Sequence, residues 1–253
     1  MSEHLNSNVQ SFEQKSHGYA SHRPTYPDAL FKWIIGHCRH NRRAWDCATG
    51  NGQAAISLSK RFERVDATDL SEEQVANGFE AGNITYRAAP AEDSGFADNS
   101  FDLITVAQAV HWFDFSKFWH EVRRVARDGA FFCAWGYGFV EGDQEISEQL
   151  IKPAEVLFDP YWARGNRIIM SGYKSEDLQF PFERVDAPEF AIEVEWSIED
   201  LLNFFRTWSA FKLMKGDPAR EQIQELFTNA ASRFADQKLE LRMPICVAAG
   251  RIE

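Results

Sequence analysis

The run Trp45-Asp46-Cys47-Ala48-Thr49-Gly50-Asn51-Gly52-Gln53 is the segment whose residue types and spacing speak most directly of chemistry. A short strand that runs into a glycine turn and then a helix exposes bare backbone N–H groups at a helix N-terminus, where a polar ligand can be held. Asp69 ends the following strand, 23 positions after Asp46, where an acidic side chain can accept from both hydroxyls of a ribose. The bland alternative is a tight turn at Gly50 and Gly52 and a helix cap at Asp69. Loop, strand order and acid taken together favour a ribose-bearing ligand.

Two cofactor classes compete for this loop. Gly50-Asn51-Gly52-Gln53-Ala54-Ala55 fits the G-x-G-x-x-A form of the dinucleotide fingerprint, which would make the chain an NAD(P)-dependent oxidoreductase. Asp46 argues the other way, because a carboxylate at the strand's end opposes a pyrophosphate but suits an ammonium group such as that of a methionine moiety. Only about 115 residues follow the fifth strand, and they hold no second α/β unit.

A second reactive stretch, Gln108-Ala109-Val110-His111-Trp112-Phe113, lies at the carboxyl end of the fourth strand, the edge at which open α/β sheets bind ligands. His111 reads either as a base or polar contact to a substrate, or as a histidine hydrogen-bonded within a turn. Trp112 either offers its face to a cation or packs in the core. Trp208 and Ser209 share a segment with Phe204, Phe205 and Phe211 and are expected on the inner face of a cap, although most of that stripe is core. Arg206, Lys212 and Lys215 are the cap's suggestive cations for an anionic acceptor, but a solvated helix face explains them more cheaply. No His, Cys or Asp cluster has metal-ligand spacing and no G-x-S-x-G elbow occurs, so no metal is expected.

The elements that must position these residues follow from periodicity. Pro27 opens a helix with Leu30, Phe31, Ile34 and Ile35 on one face. Strands are expected over 44–47, 64–68, 84–88, 101–106 and 130–135. Helices are expected over 54–62, from Ser71 to about Phe79, and over 116–126, with Ser71 and Gln74 as a capping-box pair. This alternation implies parallel strands joined by crossovers, a Rossmann-like doubly wound α/β arrangement. After Tyr137 the pattern reads as helix over 143–158, irregular and aromatic over 160–180, strand over 183–196, helices over 198–213 and 218–234, and strand over 239–249. The two late strands predict an antiparallel edge hairpin completing a mostly parallel seven-stranded sheet beneath a helical, aromatic cap. The expected division is an N-terminal arm and lid helix over 1–42, a cofactor-binding core over 43–137, and cap insertions plus the last two strands over 138–253.

The ordered motifs DCATGNGQ, ATDLSEEQ and PAEDSGFADNSFDLITVAQAVHWFD resemble the class I S-adenosylmethionine-dependent methyltransferases with a methyltransferase type 11 domain, in particular the trans-aconitate methyltransferase-like subgroup. The similarity spans roughly residues 15–137, with weaker echoes in GYASHRPTYP and RTWSAFKLMKGD. It implies methyl transfer from S-adenosyl-L-methionine, with S-adenosyl-L-homocysteine as product, to a small-molecule acceptor such as a carboxylate metabolite. By the same resemblance Asp46, Thr49, Gly50, Asn51 and Gly52 cradle the methionine end, Asp69 binds the ribose, and Leu70 lies beside the adenine. Ala91 and Glu92 would border the adenine edge, Gln108 would meet the methionine amino group through its backbone, and Tyr19 and Arg23 would form an N-terminal lid. Two positions depart from the pattern: Ala48 replaces the usual first glycine, and Pro90 stands where many relatives carry an aspartate. A catalytically silent cofactor-binding protein is the remaining alternative.

Composition narrows the partners. With 38 acidic and 27 basic residues the net charge is −11, which repels a phosphate backbone, and no basic run exceeds the pairs Arg42-Arg43 and Arg123-Arg124. No nucleic-acid partner is expected. Cys38, Cys47, Cys133 and Cys246 form no CxxC pair and read as core residues of a reducing compartment. No apolar stretch approaches the ~20 residues that span a bilayer, and the N-terminal residues lack a signal-peptide apolar region. A cytoplasmic chain with no membrane partner, monomeric or weakly dimeric, is therefore expected.

Overall fold

The alternation between Arg43 and Tyr137 resolves, in a computed structural model describing residues 24–253, into five parallel strands. They are β1 (Arg43–Cys47), β2 (Arg64–Asp69), β3 (Ile84–Ala88), β4 (Phe101–Ala107) and β5 (Ala126–Tyr137). β6 (Phe190–Trp196) and β7 (Leu239–Arg251) complete one sheet in the order β3-β2-β1-β4-β5-β7-β6, with β7 antiparallel to both neighbours. The seven-stranded sheet with an antiparallel edge hairpin is thus as expected.

Ten helices flank the sheet among the described residues: α1 (Asp28–Gly36), α2 (Gln53–Ser59), α3 (Glu72–Ala76), α4 (Phe115–Val125), α5 (Lys152–Phe158), α6 (Arg164–Met170), α7 (Ser175–Leu178), α8 (Ile198–Thr207), α9 (Ser209–Leu213) and α10 (Ala219–Arg233). A short helical segment, Gln144–Ile146, and a π turn, Ser147–Ile151, lead directly into α5.

Both faces of the sheet are covered, which is why β4 is buried from Phe101 to Val106 without alternation. On one face Leu30, Phe31 and Ile34 of α1 and Ala54, Ala55 and Leu58 of α2 join Leu103, Phe131 and Trp135, and the same core continues into α8 and α10. On the other, α4 inserts Phe118, Trp119, Val122 and Val125 against Ile104, Phe132 and Ala134. Asp114 accepts the Lys117 N–H to start α4, and a buried side chain the size of Phe118 stabilises the fold by roughly 1.5–3 kcal/mol.

Where boundaries differ from expectation, packing supplies the reason. α3 stops short of Phe79, because Gly78 leaves room for the Tyr86 ring, which lies 2.6 Å from where a Cβ would stand; Ser71 Oγ accepts the Gln74 N–H there. β6 begins at Phe190 rather than at 183, since Pro188 has no N–H for a ladder, and Arg184 makes an isolated bridge to Gly250 instead. The helix expected over 198–213 breaks at Trp208, whose ψ of 143° is extended.

The irregular stretch expected over 160–180 instead contains α6 and α7. Seven residues with no side-chain cap carry too little periodicity to read, and α6 forms through its packing. A Cβ on Gly165 would stand 2.8 Å from the His111 carbonyl oxygen and 3.0 Å from the Trp112 ring, so the helix approaches that turn backbone to backbone. No helix among the described residues is long and apolar enough to cross a membrane.

Gly165→Ala is therefore expected to force α6 away from the His111 turn. The cost is about 1–3 kcal/mol, read as a lowered Tm in thermal unfolding; an unchanged Tm would show that the contact is slack.

Candidate active site

Parallel register brings the carboxyl ends of β1, β4 and β5 to one edge, since Cys47 lies opposite Val106 and Ala107 opposite Trp135. The loop after β1 turns there through three positive φ values, Ala48 at 54°, Gly50 at 56° and Gly52 at 87°. Ala48 accepts the left-handed conformation that a glycine would adopt more cheaply. Gly52 is required for close approach: a Cβ on it would overlap the Tyr86 hydroxyl.

Asp46 is fully buried at the end of β1. Its carboxylate accepts from the Thr49 hydroxyl in the loop at 2.5 Å and from the Thr105 hydroxyl on β4 at 2.9 Å. Burial pushes its pKa up to about 6, against the pull of Thr49, Thr105 and the Ala55 N–H. No cation pairs with Asp46 among the described residues. The carboxylate of Asp69 is oriented by the backbone, Oδ2 accepting from Gly50 N–H at 2.8 Å and Oδ1 from Ser71 N–H at 2.9 Å. A carboxylate has about four acceptor positions, so capacity remains on both oxygens. Burial also raises the Asp69 pKa, with those N–H groups opposing it.

Beside Asp69, Leu70 is 52% exposed, unusual for a side chain of its size. Ala91 is buried, whereas the Glu92 carboxylate turns to the start of α4 and accepts the Asp114 N–H. Asn51 anchors the loop by accepting the Phe79 N–H at 3.0 Å. Tyr19 and Arg23 lie outside the described residues. The residues that follow them reach this edge: Gln53 donates to the Pro24 carbonyl at 2.9 Å, and the Tyr26 ring meets Trp135 edge-on at 5.5 Å.

Beyond the carboxyl ends of β4 and β5 is a cavity of about 140 Å³. Gln108, at a positive φ of 58°, lines it and donates from Nε2 to the Tyr137 carbonyl. Trp112, Phe139, Trp162 and Trp208 supply aromatic walls, with Trp162 and Trp208 centroids 5.3 Å apart, and Lys212 also lines it. Arg206 does not join them: it pairs with Glu199 and Asn203 on its own helix. His111 lines the cavity from a 3-10 turn (Val110–Trp112), and its Nδ1 lies 2.8 Å from the Tyr173 hydroxyl. Desolvation lowers its pKa to about 3, so the ring is neutral.

Sequence reasoning missed Tyr173, Trp162 and Asn166, which come from the stretch read as irregular. Among the described residues, Trp162 Nε1 and Asn166 Oδ1 are buried without hydrogen-bond partners, as is Trp135 Nε1 at the Tyr26 contact. The one sequence signal available was the density of aromatic residues between 158 and 182.

The comparisons with known proteins bear on this arrangement. A family described as methyltransferase domain matches residues 45–134. A Dictyostelium discoideum protein carrying a methyltransferase name is 32% identical over 204 residues, 79% of this chain and 77% of that one. A Saccharomyces cerevisiae protein whose name specifies S-adenosylmethionine dependence is 27% identical over 143 residues, 53% of this chain and 47% of that one. A solved structure titled as a type II methyltransferase from Anaeromyxobacter dehalogenans is 38% identical, with a TM-score of 0.79 over 91% of this chain and 98% of that one.

The electrostatics of Asp46 give a measurable consequence. Its folded pKa of about 6 exceeds the ordinary 3.8, so the folded chain holds this proton more tightly than the unfolded chain. The group's contribution to stability therefore falls as pH rises between those values. Asp46→Asn, neutral throughout, should gain on the wild type between about pH 4 and about pH 7 in urea unfolding. A difference independent of pH would mean that Asp46 titrates normally.

Proposed function

Because the chain belongs to the class I S-adenosylmethionine-dependent methyltransferases, we propose that it methylates a small-molecule acceptor seated in the aromatic cavity, and that the acceptor is a carboxylate metabolite. The observation that carries this reading is that Gln108 belongs to both places: it follows β4 beside the loop after β1, and it lines the cavity. A ligand held on the loop and one held in the cavity would meet there. Family membership also decides the competition for GNGQAA in favour of the adenosyl cofactor over a dinucleotide.

The residues present suit that cofactor. Asp46, a buried carboxylate without a cationic partner among the described residues, favours the positively charged methionine end, with Thr49, Gly50, Asn51 and Gly52 forming the cradle. Asp69, already aimed by Gly50 and Ser71, has acceptor positions left for ribose hydroxyls. Leu70 offers an exposed apolar face to adenine, and Ala91 and Glu92 border it.

When bound, S-adenosylmethionine supplies an activated methyl on a sulfonium. What the chain contributes is alignment: displacement at a methyl requires the acceptor atom in line, and holding two reactants in near-attack geometry is worth up to about 7–11 kcal/mol of barrier. Trp112 and Trp208 restrict the acceptor's orientation, and Lys212 favours an anionic one, which supports the carboxylate class suggested by resemblance to the trans-aconitate enzymes. In this reading residues 43–137 are the cofactor core, 138–253 the cap and closing strands, and Tyr19 and Arg23 the lid of the 1–42 arm.

Calorimetric titration tests the reading. S-adenosylmethionine and S-adenosylhomocysteine should bind and NADH should not; binding of NADH alone would overturn the assignment. Asp69→Ala should weaken the adenosyl pair by about 10–100-fold, the scale of lost hydrogen bonds to a charged group, with unchanged circular dichroism. Lys212→Ala should raise the KM of an anionic acceptor about tenfold while leaving cofactor affinity alone.

A further inference from the structure

The Tyr173–His111 contact allows one proton arrangement. Tyr173 is fully buried and follows α6 with a positive φ of 55°, just after Gly172 at 84°. Its backbone is held on both sides, its N–H donating to the Ile168 carbonyl at 3.2 Å and its carbonyl accepting from Arg184 at 2.7 Å. Its hydroxyl has one hydrogen-bond partner among the described residues, His111 Nδ1 at 2.8 Å. If Nδ1 carried the imidazole proton, the hydroxyl would accept it and its own O–H would be buried unpaired, at a cost of about 1–3 kcal/mol. With the O–H donating to Nδ1 both groups are satisfied. The neutral ring then carries its proton on Nε2, which has no protein partner among the described residues, on a side chain lining the cavity.

We propose that Tyr173 is a positioning residue that locks His111 as its Nε2–H tautomer, so that His111 serves the acceptor as a neutral hydrogen-bond donor and not as a base. This rests on the methyltransferase reading of the cavity. It defines the acceptor class: the attacking oxygen must already be ionised, because the ring cannot take its proton. The step balances without a base, since the oxygen's lone pair forms the C–O bond, the S–C bond breaks, and its electron pair returns to sulfur to leave a neutral thioether. Two features agree. Among the described residues the cavity lining contains no Asp or Glu and includes Lys212, and burial that holds the His111 pKa near 3 makes the ring a poor base at neutral pH.

Long-range proton–nitrogen NMR of the full-length, nitrogen-15-labelled protein reads the tautomer directly, without an acceptor. His111 is assigned by comparison with His111→Gln. The expected spectrum has Nε2 protonated and Nδ1 bare; the reverse would overturn the proposal whether or not the chain proves to be a methyltransferase. Tyr173→Phe should redistribute the proton between the two nitrogens, and an unchanged spectrum would remove Tyr173 from the role. Should that variant fail to fold, turnover decides, with a pool of small polycarboxylates as the probe and S-adenosylmethionine as donor. His111→Gln, which can donate but takes no proton, should keep kcat within about tenfold while raising KM. A fall in kcat of about 10²–10⁴-fold, the contribution of a general base, would make His111 the base and sink the idea. Absence of all methyl transfer by the wild type, with the tautomer as expected, would count against the function of the cavity and not against the tautomer.

Discussion

The buried carboxylate of Asp46 is the point on which the site turns. It joins three elements at once: β1, which carries it, the following loop through Thr49, and β4 through Thr105. A charge so placed is unfavourable unless hydrogen-bonded and offset by an opposite charge. Two hydroxyls satisfy the first need. No cation among the described residues meets the second, in a protein of net charge −11.

Strain gathers around the same edge. Of the five non-glycine residues with positive φ among those described, three lie here: Ala48 in the loop after β1, Gln108 just after β4, and Tyr173 against His111. Such conformations persist only where surrounding contacts over-determine them. At Gln108 those contacts are the bonds from its N–H to the Trp135 carbonyl and from its side chain to the Tyr137 carbonyl; at Tyr173 they are Ile168 and Arg184. The backbone has been bent where two ligands would meet.

The two sites differed in how legible they were. Asp46, Gly50, Gly52 and Asp69 act through local geometry, a strand end and a tight turn, so their spacing announces them, and β3 falls on the residues 84–88 that periodicity indicates. The cavity is assembled from segments up to about a hundred residues apart, and α6, which supplies Asn166, Ile169 and Met170, is too short to leave a pattern. α6 meets the His111 turn closely at Gly165, a contact no window of sequence contains. His111 illustrates the divide: its location at the end of β4 was readable, but the choice between base and donor depends on a tyrosine 62 positions away.

By itself, then, the sequence determined the sheet's alternation, the glycine turn after β1 and the acid that ends β2, because strand period, glycine conformation and charge are properties of neighbours along the chain. Only the tertiary structure decided which aromatic residues are walls and which are core, that Arg206 turns away while Lys212 lines the cavity, and which nitrogen of His111 meets Tyr173. Those outcomes depend on burial and on hydrogen-bond partners brought together from distant segments, and both exist only once the chain has folded.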